Sequence, residues 1–398
     1  HEPWSITIES IARELMRLGH KVKVVHFIDE TSLEKYTVHA YGFQVVSLKR
    51  RGGFRYFLRN FREIINESTW ADVVHFQKCF HYVSLPALCA AFFQDKPVHY
   101  DWDDLEEAIY YASAHPPNWM IHFFLRTFEK VIPRIVDTIS VASHELKTKC
   151  LQLGVREEQI FDAPVGADLR KFGPHRSGDM IRKRFNPQAK IVLYLGQLNG
   201  AQYTKLFIDA VADLKKENPD ALFLIVGSGS KFKELRRYAH TIGVLDVIRF
   251  IGAIHHEKVP HYLSACDIAV ACFEDNEITR CKSPLKIVEY LAAGKPIVAS
   301  AVGEVVTMLD GCGVLVTPGS AHSFAAGIRS LLRESDAYRS ELGSRARKKA
   351  EEIYNWARVA KNLENSYKMA FGFHGVEREC LIDRRNISVQ SMYKVCAS

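Results

Sequence analysis

The segment Ser283-Pro284-Leu285-Lys286-Ile287-Val288-Glu289-Tyr290-Leu291-Ala292-Ala293-Gly294-Lys295-Pro296-Ile297-Val298-Ala299-Ser300 leaves few folds open to this chain. It reads as a loop, a helix, a turn and a strand. Pro284 suits a helix start, where its missing N–H falls among donors that have no intrahelical acceptor. Ile287, Val288 and Leu291 give the helix an apolar stripe. Gly294 ends it, Pro296 prevents its continuation, and Ile297-Val298-Ala299 is a short strand of the buried type. Free N–H groups at such a helix start face an anion. Lys286 adds positive charge and Glu289 lies within reach of hydroxyls on the same ligand, so the segment suits a phosphorylated sugar or a nucleotide. The plainer alternative is a generic αβ unit of a Rossmann-like sheet.

A chain of 398 residues makes two domains of ordinary size, each with its own core. With 47% hydrophobic and 25% charged residues the composition is globular, and no run of apolar residues is long enough for a membrane span. The nine cysteines are scattered and none has C-x-x-C spacing, which predicts a reduced, cytoplasmic setting without a zinc site or a disulfide framework. The formal charge of +7 suits anionic substrates, nucleic acid or a membrane surface, and its distribution says more than its sum.

An amphipathic helix through Ile8, Ile11, Ala12, Leu15 and Leu18 closes at Gly19-His20 and leads into a strand over 22–27. Residues 47–66 hold the densest basic cluster, Lys49, Arg50, Arg51, Arg55, Arg59 and Arg62. There Phe54, Phe57, Leu58, Phe61, Ile64 and Ile65 recur at helical spacing, with Arg55, Arg59 and Arg62 on the other side. Such a helix docks on an anionic bilayer, or it is a domain helix with a solvated arginine face. Residues 71–77 and 97–104 read as strands with polar C-terminal ends, where open α/β sheets place ligands. The cluster Asp101, Asp103 and Asp104 can bind acceptor hydroxyls, take a proton, hold a divalent cation or cap a helix. Gly173 to Pro187 marks a domain boundary by its Gly, Pro and basic residues. Beyond it, strands over 191–195, 222–226, 247–251 and 267–271 alternate with helices, which predicts a parallel sheet. The turn Gly227-Ser228-Gly229 starts like a dinucleotide fingerprint, but Phe232 stands at the third glycine and the pattern fails.

These motifs, in this order over residues 4 to 371, resemble the retaining GT-B glycosyltransferases of the "group 1" family (family 4). The family carries a pair of glutamates around the loop and helix described above. Glu289 matches the second, used on the nucleotide ribose; Cys281 stands at the first, and Ser-Pro-Leu-Lys before Glu-Tyr is similar to a branch lacking that residue. The resemblance implies that Gly196, Gly227 and Gly229 face the donor and that Ile254 contacts the nucleobase. Gln197 and Gln202 replace the family's diphosphate-binding arginine and lysine, so Lys205, Lys282 and Lys286, near Arg280, are expected to meet that charge. Ser283, Pro284 and Leu285 complete the donor loop. Gln77 and Asp103 fall where many members carry histidine, which makes Gln77, Asp101 and Asp103 acceptor candidates, and Asp103, Asp104 and Glu289 catalytic ones.

The implied fold is α/β GT-B, two Rossmann-like doubly wound domains facing a cleft. The expected division is an acceptor domain over 1–170, a linker over 171–187, a nucleotide-sugar domain over 188–350, a helix over 351–371 crossing back, and a tail over 372–398 of unknown role. In the family a strand and a glycine-rich loop precede the first helix; neither is found ahead of it here, so the first domain is expected to lack that strand. The implied activity is transfer of a sugar from a nucleotide-diphosphate sugar to an acceptor hydroxyl with retention, in polysaccharide, lipopolysaccharide or glycolipid synthesis. No cofactor or metal is expected, and the partners are the donor, a sugar or lipid-linked acceptor and an anionic membrane surface reached through Arg55, Arg59 and Arg62. Nucleic acid is not expected, because only the 49–62 segment is basic and aromatic. A non-catalytic GT-B scaffold that binds nucleotide sugar is the alternative, and a two-domain NAD dehydrogenase is excluded by the failed fingerprint.

Overall fold

Every side chain of strand 190–195 is apolar from Ile191 onward, and the structure shows why. Ile191 and Leu193 enter one core while Val192 and Tyr194 enter another, so both faces of the sheet are covered. In this computed structural model, residues 3–28, 35–40, 42–50, 53–113, 118–186, 188–199, 203–218 and 220–386 are described, with backbone alone at 3–5, 35–40 and 375–386. Contacts divide the chain into an N-terminal unit (15–141, 146–163 and 360–398) and a C-terminal unit (1–14, 142–145 and 164–359).

The N-terminal unit holds β1 (Lys23–Ile28), β2 (Lys35–Ala40), β3 (Phe43–Lys49), β4 (Val74–Gln77), β5 (Val98–Trp102), β6 (Thr138–Val141) and β7 (Ile160–Asp162). They form a three-stranded sheet, β1-β3-β2, and a four-stranded parallel sheet, β4-β5-β6-β7. The β2–β3 pair is antiparallel, a hairpin that the periodicity of 35–49 did not reveal. In the second sheet the pleat separates two chemistries. Phe76 stacks on Tyr100 at 5.1 Å and Tyr100 lies 6.2 Å from Trp102 on the apolar face. His75, Gln77, His99, Asp101, Thr138 and Ser140 alternate with them. This polar ladder meets the helix Trp356–Asn386: His75 Nδ1 lies 2.7 Å from the Tyr367 hydroxyl, and His99 bonds Thr138 and Ser140 at 2.9 Å each. Burial lowers the His75 imidazole to about 4 and holds the His99 imidazole well below its ordinary value, so both rings are neutral.

The C-terminal unit holds β8 (Lys190–Leu195), β9 (Ala221–Val226), β10 (Ile248–Gly252), β11 (Ile268–Ala271), β12 (Ile297–Ser300) and β13 (Val314–Val316). All pair in parallel, in the order β10-β9-β8-β11-β12-β13. Strands added after β8 go first to one side and then to the other, so the carboxyl ends of β8 and β11 form the switch point where such sheets bind ligands. Two helices follow, Asp336–Glu352 and Trp356–Asn386, and the one expected over 351–371 starts at Trp356. Asn355 makes the break: its amide donates to Glu351 O at 2.8 Å and its oxygen accepts the Arg358 N–H at 2.9 Å, closing one helix and opening the next. The second continues well past Phe371, so part of the expected tail is helical, and 387–398 lies outside the described residues. None of the seven cysteines whose side chains are described forms a disulfide.

Candidate functional site

The switch point is built by two loops that approach closely. Gly196 N–H donates to Val226 O at 3.0 Å and Leu198 N–H to Ser228 O at 2.9 Å, which laces the loop after β8 to the turn after β9. A Cβ on Gly227 would stand 1.8 Å from Gly196 O, so that position admits no side chain. On the other side the helix Leu285–Ala292 starts one residue later than expected, with Pro284 as its N-cap and no side-chain cap on its first N–H groups. Ser283 is buried and its hydroxyl accepts the Val165 N–H at 3.0 Å, while Leu285 packs against the core, so both side chains shape the loop.

Lys286 crosses from this helix to the glycine loop. A Cβ on Gly196 would meet its Nζ at 2.7 Å, so the glycine makes room for the ammonium. Nζ lies 5.0 Å from the Tyr194 ring centroid and 5.5 Å from that of Phe273, and no ion pair with a described residue engages it. Burial lowers this ammonium to about 8. Glu289, one turn on, is 3% exposed, and its Oε1 sits 2.5 Å from His256 Nε2. Its other oxygen has no hydrogen-bond partner among the described residues. Ile254 is half-buried beside the same core. An unpaired cation, open helix N–H groups and a buried carboxylate are thus gathered at one sheet end, which suits a ligand with both phosphate and hydroxyls.

In the N-terminal unit a different group forms at the ends of β4 and β5. Lys78 follows β4 with a φ of 76°, a left-handed conformation that costs a non-glycine residue about 1–3 kcal/mol. That turn places its Nζ 3.0 Å from Asp103, 3.1 Å from Asp104 and 2.5 Å from Glu106. Burial pushes Asp103 and Glu106 each up to about 7, against the pull of Lys78. Glu129, in the helix Trp119–Ile135, accepts the Glu106 and Glu107 N–H groups at the start of the preceding helix, Glu106–Ser113, and burial raises it to about 8.

Comparisons with known proteins bear on the family and the fold. Residues 5–171 match the family described as Glycosyltransferase Family 4, and residues 178–349 match Glycosyl transferases group 1. The chain joins a Family 4 domain to a group 1 domain. It is 27% identical to spore coat protein SA of Bacillus subtilis over 51% of this chain and 57% of that protein. It is 27% identical to a D-inositol 3-phosphate glycosyltransferase of Geodermatophilus obscurus over 61% of this chain and 54% of that protein. The chain therefore spans little more than half the length of these curated relatives. HepE of Anabaena, solved in complex with UDP-glucose, superposes with a TM-score of 0.72 at 18% identity, covering 91% of this chain and 95% of HepE. The fold is GT-B, with two Rossmann-like domains.

Within the group 1 domain the structure brings together Gly196, Gly227, Gly229, Lys286 and Glu289. Lys205 is engaged elsewhere: it donates to Asp209 at 2.8 Å and to the Tyr238 hydroxyl at 3.1 Å. Gln197 is exposed and accepts from Asn199, and Gln202 lies outside the described residues. Arg280 forms a two-bond pair with Asp275, and Cys281, fully buried, has no reach toward a ligand. Lys282 remains unpaired among the described residues.

Within the Family 4 domain, Asp103 and Asp104 come together but Asp101 does not join them. It is buried, and Gln77 and Ser140 donate to it, because the pleat turns positions 77 and 101 into the ladder under the last helix. The helix Phe54–Ser68 buries more of its apolar face than its pattern predicts: Phe57 and Phe61 are half-buried, leaving Phe54 and Leu58 exposed beside Arg55 and Arg62, while Arg59 lies against Tyr56. Sequence reasoning missed Lys78, which no motif marks, and His256. It also missed the helix Trp119–Ile135, which exposes Trp119, Met120, Phe123 and Phe124 beside Arg126, Lys130 and Arg134.

Proposed function

We propose that this protein transfers a sugar from a nucleotide-diphosphate sugar to an acceptor hydroxyl, with retention of anomeric configuration. The observation that carries the reading is the meeting of Lys286 Nζ with the Gly196 loop, beside a Glu289 carboxylate with one oxygen open. The diphosphate would lie against Gly196, Gly227 and Gly229 and take its countercharge from Lys286 and Lys282. Glu289 would accept hydrogen bonds from the ribose. UDP is the first nucleotide to try, on the analogy of HepE. The acceptor would be held by Asp103 and Asp104, which Lys78 keeps in place and supplies with positive charge; no metal is assigned to them. In a retaining transfer the acceptor attacks from the face the diphosphate leaves, and a leaving-group oxygen can take its proton. No protein nucleophile is needed, and the chain's work is positioning and charge stabilisation.

The test is calorimetry with UDP, GDP, ADP and TDP and their common sugars. One nucleotide should bind at micromolar to sub-millimolar concentration, and Glu289→Ala should weaken it by about tenfold or more, the worth of a charged hydrogen bond. Absence of binding by every nucleotide would remove the reading. Binding without transfer to any acceptor would support a non-catalytic scaffold, which the exposed Gln197 and the buried Cys281 favour.

The same reading places the protein in the cytoplasm, at an anionic membrane face, serving polysaccharide, lipopolysaccharide or glycolipid synthesis with a sugar or lipid-linked acceptor. Its support is the exposed aromatic and basic residues of the helices Phe54–Ser68 and Trp119–Ile135. No helix among the described residues is long and apolar enough to cross a membrane. Vesicles rich in phosphatidylglycerol should float the protein at low salt. The variants R55S/R62S and W119A/F123A should each cut the floated fraction severalfold, and equal flotation with neutral vesicles would contradict the assignment.

A further inference from the structure

Glu289 is one end of a chain of four side chains. Glu257 Oε1 lies 2.9 Å from Lys171 Nζ, Lys171 Nζ lies 2.9 Å from His256 Nδ1, and His256 Nε2 lies 2.5 Å from Glu289 Oε1. The direction of these bonds follows from what each group can do. An ammonium only donates, so Lys171 requires a lone pair on Nδ1. The neutral ring then carries its proton on Nε2, and that N–H donates to Glu289. The Phe172 ring, 5.6 Å from the imidazole, limits its rotation. Glu257 is 84% exposed at its side chain, so the chain runs from solvent to a carboxylate that is nearly buried.

We propose that Lys171 and His256 are positioning residues that fix the Glu289 carboxylate, through its Oε1, so that its second oxygen accepts the ribose hydroxyls of a nucleotide. The inference rests on the nucleotide-sugar reading of this site. A carboxylate on a helix has free rotation about its last bonds; one anchored oxygen leaves the other in a single place. Lys171 directs the proton to Nε2, since the opposite tautomer would set two donors against each other at Nδ1 and a lone pair against the carboxylate at Nε2.

Binding of UDP and of 2′,3′-dideoxy-UDP to the full chain tests this, in wild type, H256A, H256Q and K171M. Wild type should prefer UDP by about tenfold or more. H256A and K171M should bind the two nearly equally, while H256Q, whose amide can still donate to Glu289, keeps part of the preference. Thermal unfolding without ligand shows that each variant is folded, and a general loss of packing would weaken both nucleotides alike without changing their ratio. A wild-type ratio in H256A and K171M would overturn the inference and leave the nucleotide site standing. If another nucleotide binds in place of UDP, it and its 2′,3′-dideoxy form take these places; absence of binding by every nucleotide in wild type would instead remove the nucleotide reading. The relay is then decided by ¹⁵N spectra of labelled histidine at pH 8: a proton on Nε2 that redistributes in K171M supports it, and a proton on Nδ1 in wild type overturns it.

Discussion

Replacing Lys286 with methionine should raise the dissociation constant for UDP by about 10- to 100-fold while leaving that for uridine unchanged. Lys286 Nζ stands against the Gly196 loop over two aromatic rings and forms no ion pair among the described residues, so its charge is available to an anion. A charge-assisted hydrogen bond in such a setting is worth about 1.5–3 kcal/mol. Methionine keeps the length and the contact with Tyr194 and Phe273, so the fold should survive. Because burial holds the ammonium at about 8, the charge is lost as pH rises through that value. UDP affinity of the wild type should therefore fall between pH 7 and 9, and the variant should show a flatter profile. An unchanged constant in the variant, measured by calorimetry, would move the diphosphate away from Lys286.

Lys78→Met should lower stability by on the order of 2–4 kcal/mol at pH 8 and by much less at pH 5. The lysine is the shared cation of Asp103, Asp104 and Glu106, and removing one partner of a largely buried group leaves uncompensated charge; partial exposure puts the loss below the full buried value. The sign of the pH dependence follows from the carboxyl groups. Asp103 and Glu106 titrate near 7 in the folded chain and near 3.8 and 4.5 when free. Between those values the folded state binds more protons than the unfolded one, so stability falls as pH rises. Glu129, raised to about 8, adds to the same trend. Without Lys78 the folded values move higher still, and the deficit grows through that window. Below about pH 4 the carboxyls are protonated in both states and the cation has little left to hold. Urea titrations at the two pH values measure this, and equal losses at both would show that Lys78 acts through packing alone. If Asp103 and Asp104 hold the acceptor as proposed, the same variant should reduce sugar transfer more than UDP binding.

The sequence carried the architecture because its signals are local. Continuous apolar runs such as 191–195 bury both faces of a strand, and the sequence from Ser283 to Ser300 dictates its own helix, stop and strand. Where the expectations diverged, a long-range contact decided. The helix expected over 351–371 starts only at Trp356 because Asn355 caps in both directions, which composition does not show. Asp101 left the acceptor group because the pleat sets alternate residues of β4, β5 and β6 against Tyr367 and Ser366, far along the chain.

The chain by itself determined the parallel α/β sheet of the C-terminal unit, the glycine turns after β8 and β9, and a cation and a carboxylate one helical turn apart. These follow from periodicity, backbone freedom and helix geometry, which depend on near neighbours. Only the tertiary structure decided which charges remain free. Lys205 pairs with Asp209 and Arg280 with Asp275, while Lys286 and Lys282 form no ion pair among the described residues. It also brought Lys78 to Asp103 and Lys171 with His256 to Glu289. Charge acts through space, and residues far apart in sequence become neighbours only when the strands are in register.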